Sequence, residues 1–130
     1  MLYKITPVAK CRMTQRDKFL NPPRPCVRKY LDFKAEIELH CVALPCSDGR
    51  VIFYLPMPSN WTDVAKAEMN HKPYVEKRKN DVDNLLKTLM DAIFEDDSKV
   101  WDIRITKVWS YDGAIEILTN EEKSKYLYTN

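Results

Sequence analysis

Hydrophobic and polar positions follow two different periods along this chain. From Asp83 to Phe94 the period is helical. Leu85, Leu86, Leu89 and Ile93 share one face, and Asp83, Lys87 and Asp91 recur at i, i+4 and i+8 on another. From Val100 to Trp109 the period is two. Trp101, Ile103 and Ile105 alternate with Asp102, Arg104 and Thr106, as in a half-buried strand. Ser110 to Gly113 carries the Asp-Gly pair of a hairpin turn, so Ala114 to Leu118 reads as the returning strand.

The other segments are shorter or mixed. Leu2 to Met13 reads as a strand interrupted at Pro7. Thr14 to Pro25 is polar, proline-rich and loop-like. Val27 to Leu44 has apolar residues at helical spacing in its first half, while Ile37, Leu39, Cys41 and Ala43 also alternate. One helix ending before Pro45 is the expectation. Val51 to Leu55 is rich in β-formers and is stopped by Pro56 and Pro58. Ser59 is the expected cap of a short helix over Trp61 to Met69. Asn70 to Asn80 is a polar loop. The charged tail after about residue 119 is expected to fray.

Composition narrows the function. A chain of 130 residues predicts one domain, 1–130, able to bury a core without disulfides or metal. Two glycines cannot build a phosphate-cradling loop, so no nucleotide cofactor is expected. The apolar runs are too short for a membrane span, and Met1 to Lys10 is not a signal peptide. The expected compartment is the cytoplasm. Cysteines 11, 26, 41 and 46 form no CxxC pair and are expected as thiols, with Cys41 a small core residue.

The net charge of +2 conceals an uneven distribution. Met1 to Lys34 holds nine Lys or Arg against two acids, a net of +7. Asp81 to Asp97 holds six acids against Lys87 alone, a net of −5. Two complementary solvated surfaces would account for this. So would a polyanion-binding surface around a metal site.

The acidic stretch reads NDVDNLLKTLMDAIFEDD from Asn80 to Asp97. Asp81 and Asp83 flank Val82 at the entry to the helix, and Asp96 and Asp97 follow its end. Hard cations such as Mg²⁺ take oxygen ligands of this kind. A structural account also exists. Asp81 suits an N-cap, Asp83 and Lys87 suit an i,i+4 pair worth under about 1 kcal/mol, and Asp96 and Asp97 suit a solvated loop. Two acids at a helix C-terminus are unfavourable for its dipole, which tilts the balance toward chemistry. Lys87, one turn beyond Asp83, is placed to neutralise charge on a phosphoryl oxygen.

The order D81-V-D83-N84-L85-L86-K87, then D91-A92, then D96-D97, resembles the RusA family of Holliday junction resolvases. Pro7 to Arg12 is similar to the basic N-terminal strand of phage-borne members. Lys72-Pro73 precedes the acidic motif as in many of them, and Trp101 to Lys107 resembles the following strand. The likeness is sharpest from about 80 to 107. Two departures are Cys11 to Met13, where members carry more basic residues or proline, and the short connection from Asp91 to Asp96.

The resemblance implies an α+β fold, a small mixed sheet packed against two main helices, in a homodimer. It implies a bacterial or phage-encoded endonuclease of recombination and repair that needs Mg²⁺, with Mn²⁺ as a substitute. Such an enzyme resolves four-way DNA junctions by paired nicks. Carried over by motif, Asp81, Asp83 and Asp97 would hold the metal and Lys87 would be the catalytic lysine. Asp91, Asp96 and Asn84 would be secondary members of the site. Lys10, Arg12, Arg16, Lys18, Lys77, Arg78 and Lys79 are the candidates for DNA phosphates. A less selective nuclease for branched or flap DNA and a junction-binding protein without catalysis are the alternatives.

Overall fold

The computed structural model describes residues 1–9, 14–76, 79–94 and 97–118 of the chain. Three helices and a four-stranded mixed sheet make an α+β fold. The sheet has the order β1-β4-β2-β3, from β1 (Leu2–Tyr3), β2 (Gly49–Pro56), β3 (Ile103–Ser110) and β4 (Ala114–Leu118). The helices are α1 (Pro25–Leu39), α2 (Asp63–Met69) and α3 (Val82–Ile93).

β2 is the central strand because it is apolar on both faces. Val51, Phe53 and Leu55 face the helices, while Ile52 and Tyr54 join Val108, Ala114 and Leu118 on the opposite face. It runs parallel to β3 from Gly49↔Ile103 to Pro56↔Ser110 and antiparallel to β4 from Arg50↔Leu118 to Tyr54↔Ala114. A parallel pair needs a long crossover, and α2 and α3 lie within it. The core between sheet and helices joins Phe33 and Ile37 of α1, Leu85, Leu89 and Ala92 of α3, and the inward residues of the sheet.

The helix expected over the acidic motif is present as α3, with Leu85 and Leu89 buried and Leu86 and Ile93 half-buried. Other expectations are corrected. The long N-terminal strand reduces to Leu2–Tyr3 within the described residues, paired to β4. The proline-rich loop contains a 3-10 turn over Gln15–Phe19. Asp17 organises it. The Thr14 amide donates to Asp17 Oδ2 at 2.6 Å, and the Arg24 guanidinium grips both carboxylate oxygens at 2.7 and 2.8 Å.

The first helix stops at Leu39, earlier than expected. Cys41 adopts φ 50°, the Cys41 amide donates to the Glu38 carbonyl and the Val42 amide to that of Ile37. This double reversal is a Schellman cap. It exposes Cys41 and buries Val42 beside Ile37, so Cys41 is no core residue. α2 is capped by Thr62, not Ser59, since Thr62 Oγ1 accepts from the Ala65 amide at 3.2 Å. Trp101 lies before β3, is 77% exposed and is held through its amide by the Cys46 carbonyl.

The Ser110 to Gly113 turn does not make a hairpin. β3 and β4 flank β2 on opposite sides, so the turn carries the chain across the end of β2. Gly113 lies against the N-terminal segment there; a Cβ on it would stand 2.8 Å from Thr6 Cα. The crossing puts β2, buried along nearly its whole length, between two strands.

Candidate functional site

The acidic motif is placed by the start of α3. Asp81 occupies the N-cap position and its carbonyl accepts the first helical bond, from the Leu85 amide at 3.0 Å. Its side chain makes no cap hydrogen bond. Asp83 lies in the first turn. Both residues are exposed, and among the described residues neither carboxylate has a hydrogen-bonding or ionic partner. The side-chain cap and the pair with Lys87 open to them in the sequence are therefore not made.

Asn84 is also exposed in the first turn, and its carbonyl accepts from buried Thr88 Oγ1 at 2.8 Å. One turn on, Lys87 Nζ lies 3.8 Å from Asp91 Oδ1. The lysine side chain is 57% exposed and the carboxylate more covered. Asp91 thus holds the ammonium on the flank of the helix that carries Asp83.

Asp97 opens a short 3-10 turn, Asp97–Lys99, beyond the C-terminal end of α3. Its side chain and all of Asp96 lie outside the described residues. The helix separates the Cα atoms of Asp83 and Ile93 by about 15 Å. The four-residue step from Ile93 to Asp97 spans at most about 14 Å. Asp97 therefore approaches Asp83 only if that step doubles back along α3. Among the described residues no three His, Cys, Asp or Glu side chains form a metal-binding group. Two exposed carboxylates with free oxygens fit a hard, oxygen-seeking cation as a partial ligand set.

Of the expected DNA contacts, Lys79 is exposed two residues before Asp81, and Arg16 and Lys18 are exposed on the 3-10 turn before α1. Lys10, Arg12, Lys77 and Arg78 lie outside the described residues. A cleft of about 840 Å³ opens beside Asn80, between the N-terminal segment and α1, with Lys4 and Lys29 at its rim. His71 packs edge-on to Tyr54, their ring centroids 5.5 Å apart, on the sheet face away from α3.

The sequence pattern passes over three residues next to the motif. Asn80 has φ 50°, its side-chain amide donates to Tyr74 Oη at 3.0 Å, and its carbonyl accepts from Lys107 Nζ at 3.1 Å. The available signal was the asparagine itself, which tolerates the left-handed region better than most residues. Nothing in the spacing of Tyr74 or Lys107 ties them to residue 80.

An α+β fold with paired exposed carboxylates at a helix entry, a lysine one turn on and basic residues close by suits an enzyme acting on a polyanion. The model of the family described as endodeoxyribonuclease RusA matches residues 5–119, nearly the whole chain. The chain belongs to that family, whose members are endonucleases acting on DNA junctions. No curated protein and no solved structure matches it. Among the described residues no helix is long and apolar enough to cross a membrane.

Proposed function

We propose that this chain is a divalent-cation-dependent endodeoxyribonuclease that resolves four-way DNA junctions by paired nicks. The observation that carries this reading is the pair Asp81 and Asp83, exposed at the entry of α3 with carboxylates that pair with no other side chain or amide among the described residues. Family membership supplies the reaction class.

Asp81 and Asp83 would hold Mg²⁺ or Mn²⁺, with Asp97 as the third ligand and Asp96 beside it. Bound there, the cation would supply an activated water and charge stabilisation at phosphorus. Lys87 carries the protein's own share of the chemistry. Its ammonium lies on the flank of Asp83, oriented by Asp91 at 3.8 Å, where it meets charge growing on a phosphoryl oxygen. Asn84, exposed in the first turn of α3, would be a secondary member of the site. An acidic site does not hold DNA unaided. Lys79 and its neighbours Lys77 and Arg78 lead into the motif, and Lys4 and Lys29 border the adjoining cleft. In a two-fold homodimer, two such sites would face the two opposed strands of a junction.

The test is cleavage of a labelled four-way junction beside a linear duplex of the same sequence, with and without Mg²⁺. Paired nicks in the junction alone, lost without Mg²⁺ and lost in D83N, are the expected result. Each Asp→Asn change at 81, 83 or 97 should spare or strengthen junction binding, because it removes a charge that repels phosphate. Equal cutting of duplex and junction would replace the proposal with a general nuclease. Binding without cutting by the wild type would replace it with a junction-binding protein.

A further inference from the structure

We infer that Lys107 is a positioning residue: with Tyr74 it locks the peptide that precedes Asp81 and so sets where Asp81 and Asp83 stand. This role rests on the reading of those two aspartates as cation ligands.

Three contacts form a closed triangle. Lys107 Nζ donates to the Asn80 carbonyl at 3.1 Å. The Asn80 side chain donates to Tyr74 Oη at 3.0 Å. The Lys107 ammonium stands 5.2 Å from the centroid of the Tyr74 ring, within range of a cation–π attraction. Each member touches the other two. Tyr74 has no freedom to drift. It is 4% exposed, its ring lies 4.3 Å from that of Trp109, and its amide donates to the Lys107 carbonyl at 3.2 Å. Lys107 in turn sits on β3, whose register with β2 runs through eight pairs, including Phe53↔Lys107. The triangle is thus anchored in the longest paired register of the sheet.

The lock acts on the right atoms. The Asn80 carbonyl and the Asp81 amide belong to one planar peptide unit. Holding that carbonyl fixes the plane from which Asp81 departs, and the Asp81 carbonyl then receives the first bond of α3. The side chains of Asp81 and Asp83 have no protein partner among the described residues. Their placement therefore comes from the backbone.

The choice of residue also points to this role. Alternation puts Lys107 on the face of β3 that carries Ile103, Ile105 and Trp109, all part of the main core or packed on it. A charged group there loses hydration, a cost that a hydrogen-bonding partner offsets. An apolar residue would pack as well but could not reach the Asn80 carbonyl. Carboxylates that share one cation tolerate little displacement, so a device fixing their common backbone affects cation affinity more than overall folding.

The test uses the full chain, Mn²⁺ alone as the probe, and hydrogen exchange at the Leu85 amide. K107M keeps the aliphatic stem and removes the donor. It should melt within a few degrees of wild type, speed Leu85 exchange at least ten-fold and weaken Mn²⁺ binding at least five-fold. K107R, which can still donate to the carbonyl, should return both to within two-fold of wild type. Unchanged Leu85 exchange in K107M would overturn the lock. Faster exchange with unchanged Mn²⁺ affinity would overturn its link to the site. If D83N binds Mn²⁺ as wild type does, the cation reading itself fails, and Leu85 exchange in K107M then decides the lock alone. Should K107M melt far below wild type, Y74F takes its place with the same readouts. It keeps the buried ring and loses the Oη that accepts from the Asn80 side chain.

Discussion

Lys87 and Asp17 show how a single charge is used in two ways. Lys87 is mostly exposed, so its pair with Asp91 contributes little to stability. Its value lies in where the ammonium is held. K87A should therefore lower kcat by roughly 10²-fold or more, with junction affinity within a few-fold of wild type. Single-turnover cleavage beside a binding titration checks this; an affinity loss as large as the rate loss would make Lys87 a phosphate anchor. Asp17 is structural. The Arg24 guanidinium, then the Thr14 amide, holds its carboxyl well below the usual range. A depressed folded pKa adds stability that is complete above the unfolded value, near 3.8, and is lost as pH falls through the folded one. D17N should lower stability at pH 7, and the gap from wild type should close only in strong acid. Urea unfolding of both proteins at pH 7 and pH 2 measures it.

At the scale of elements, caps decide where the helices stop. The end of α1 is set by Cys41 in the left-handed region, and that backbone shape is costly for a side chain with a Cβ. Glycine avoids this cost but loses more freedom on folding. C41G should thus raise stability by about 0.5–1 kcal/mol, read from the denaturation midpoint at constant slope. A loss of stability would mean that the Cys41 side chain contributes packing despite its exposure. The hydrophobic pattern of α3 was legible because twelve residues on one helix repeat it three times. The end of α1 was not, because Val42 and Leu44 continue an apolar pattern after the backbone has left the helix.

At the scale of the molecule, the proposed function makes charge asymmetry the determinant of DNA binding. In the sequence the basic run Lys77-Arg78-Lys79 directly precedes an acidic motif whose own field repels phosphate. Replacing Lys77, Arg78 and Lys79 with Ala should weaken junction binding and lower the slope of log K against log salt by about one for each phosphate no longer neutralised. Fluorescence anisotropy at several salt concentrations gives that slope; an unchanged slope would place the phosphate-binding cations elsewhere on the chain. The strand order also belongs to this scale. β2, made before either neighbour, lies between β4 and β3, and both internal strands, β2 and β4, are apolar on both faces.

The family, the α+β class, the helix bearing the acidic motif and the identity of its acids were all readable in the chain. The helix depends on residue type and on spacing within one element, which the covalent order dictates, and the family and its α+β class follow from the resemblance the motif carries. The partnering of elements was not readable. Asp112-Gly113 signals a reversal, but whether the reversed strand joins its neighbour or crosses to the far side of β2 depends on which strand most needs burial. The same holds for Lys107. Its hydrogen bond to Asn80 joins positions 27 residues apart. Only the packing of α3 against the sheet brings an ammonium from one strand to the carbonyl that opens a helix.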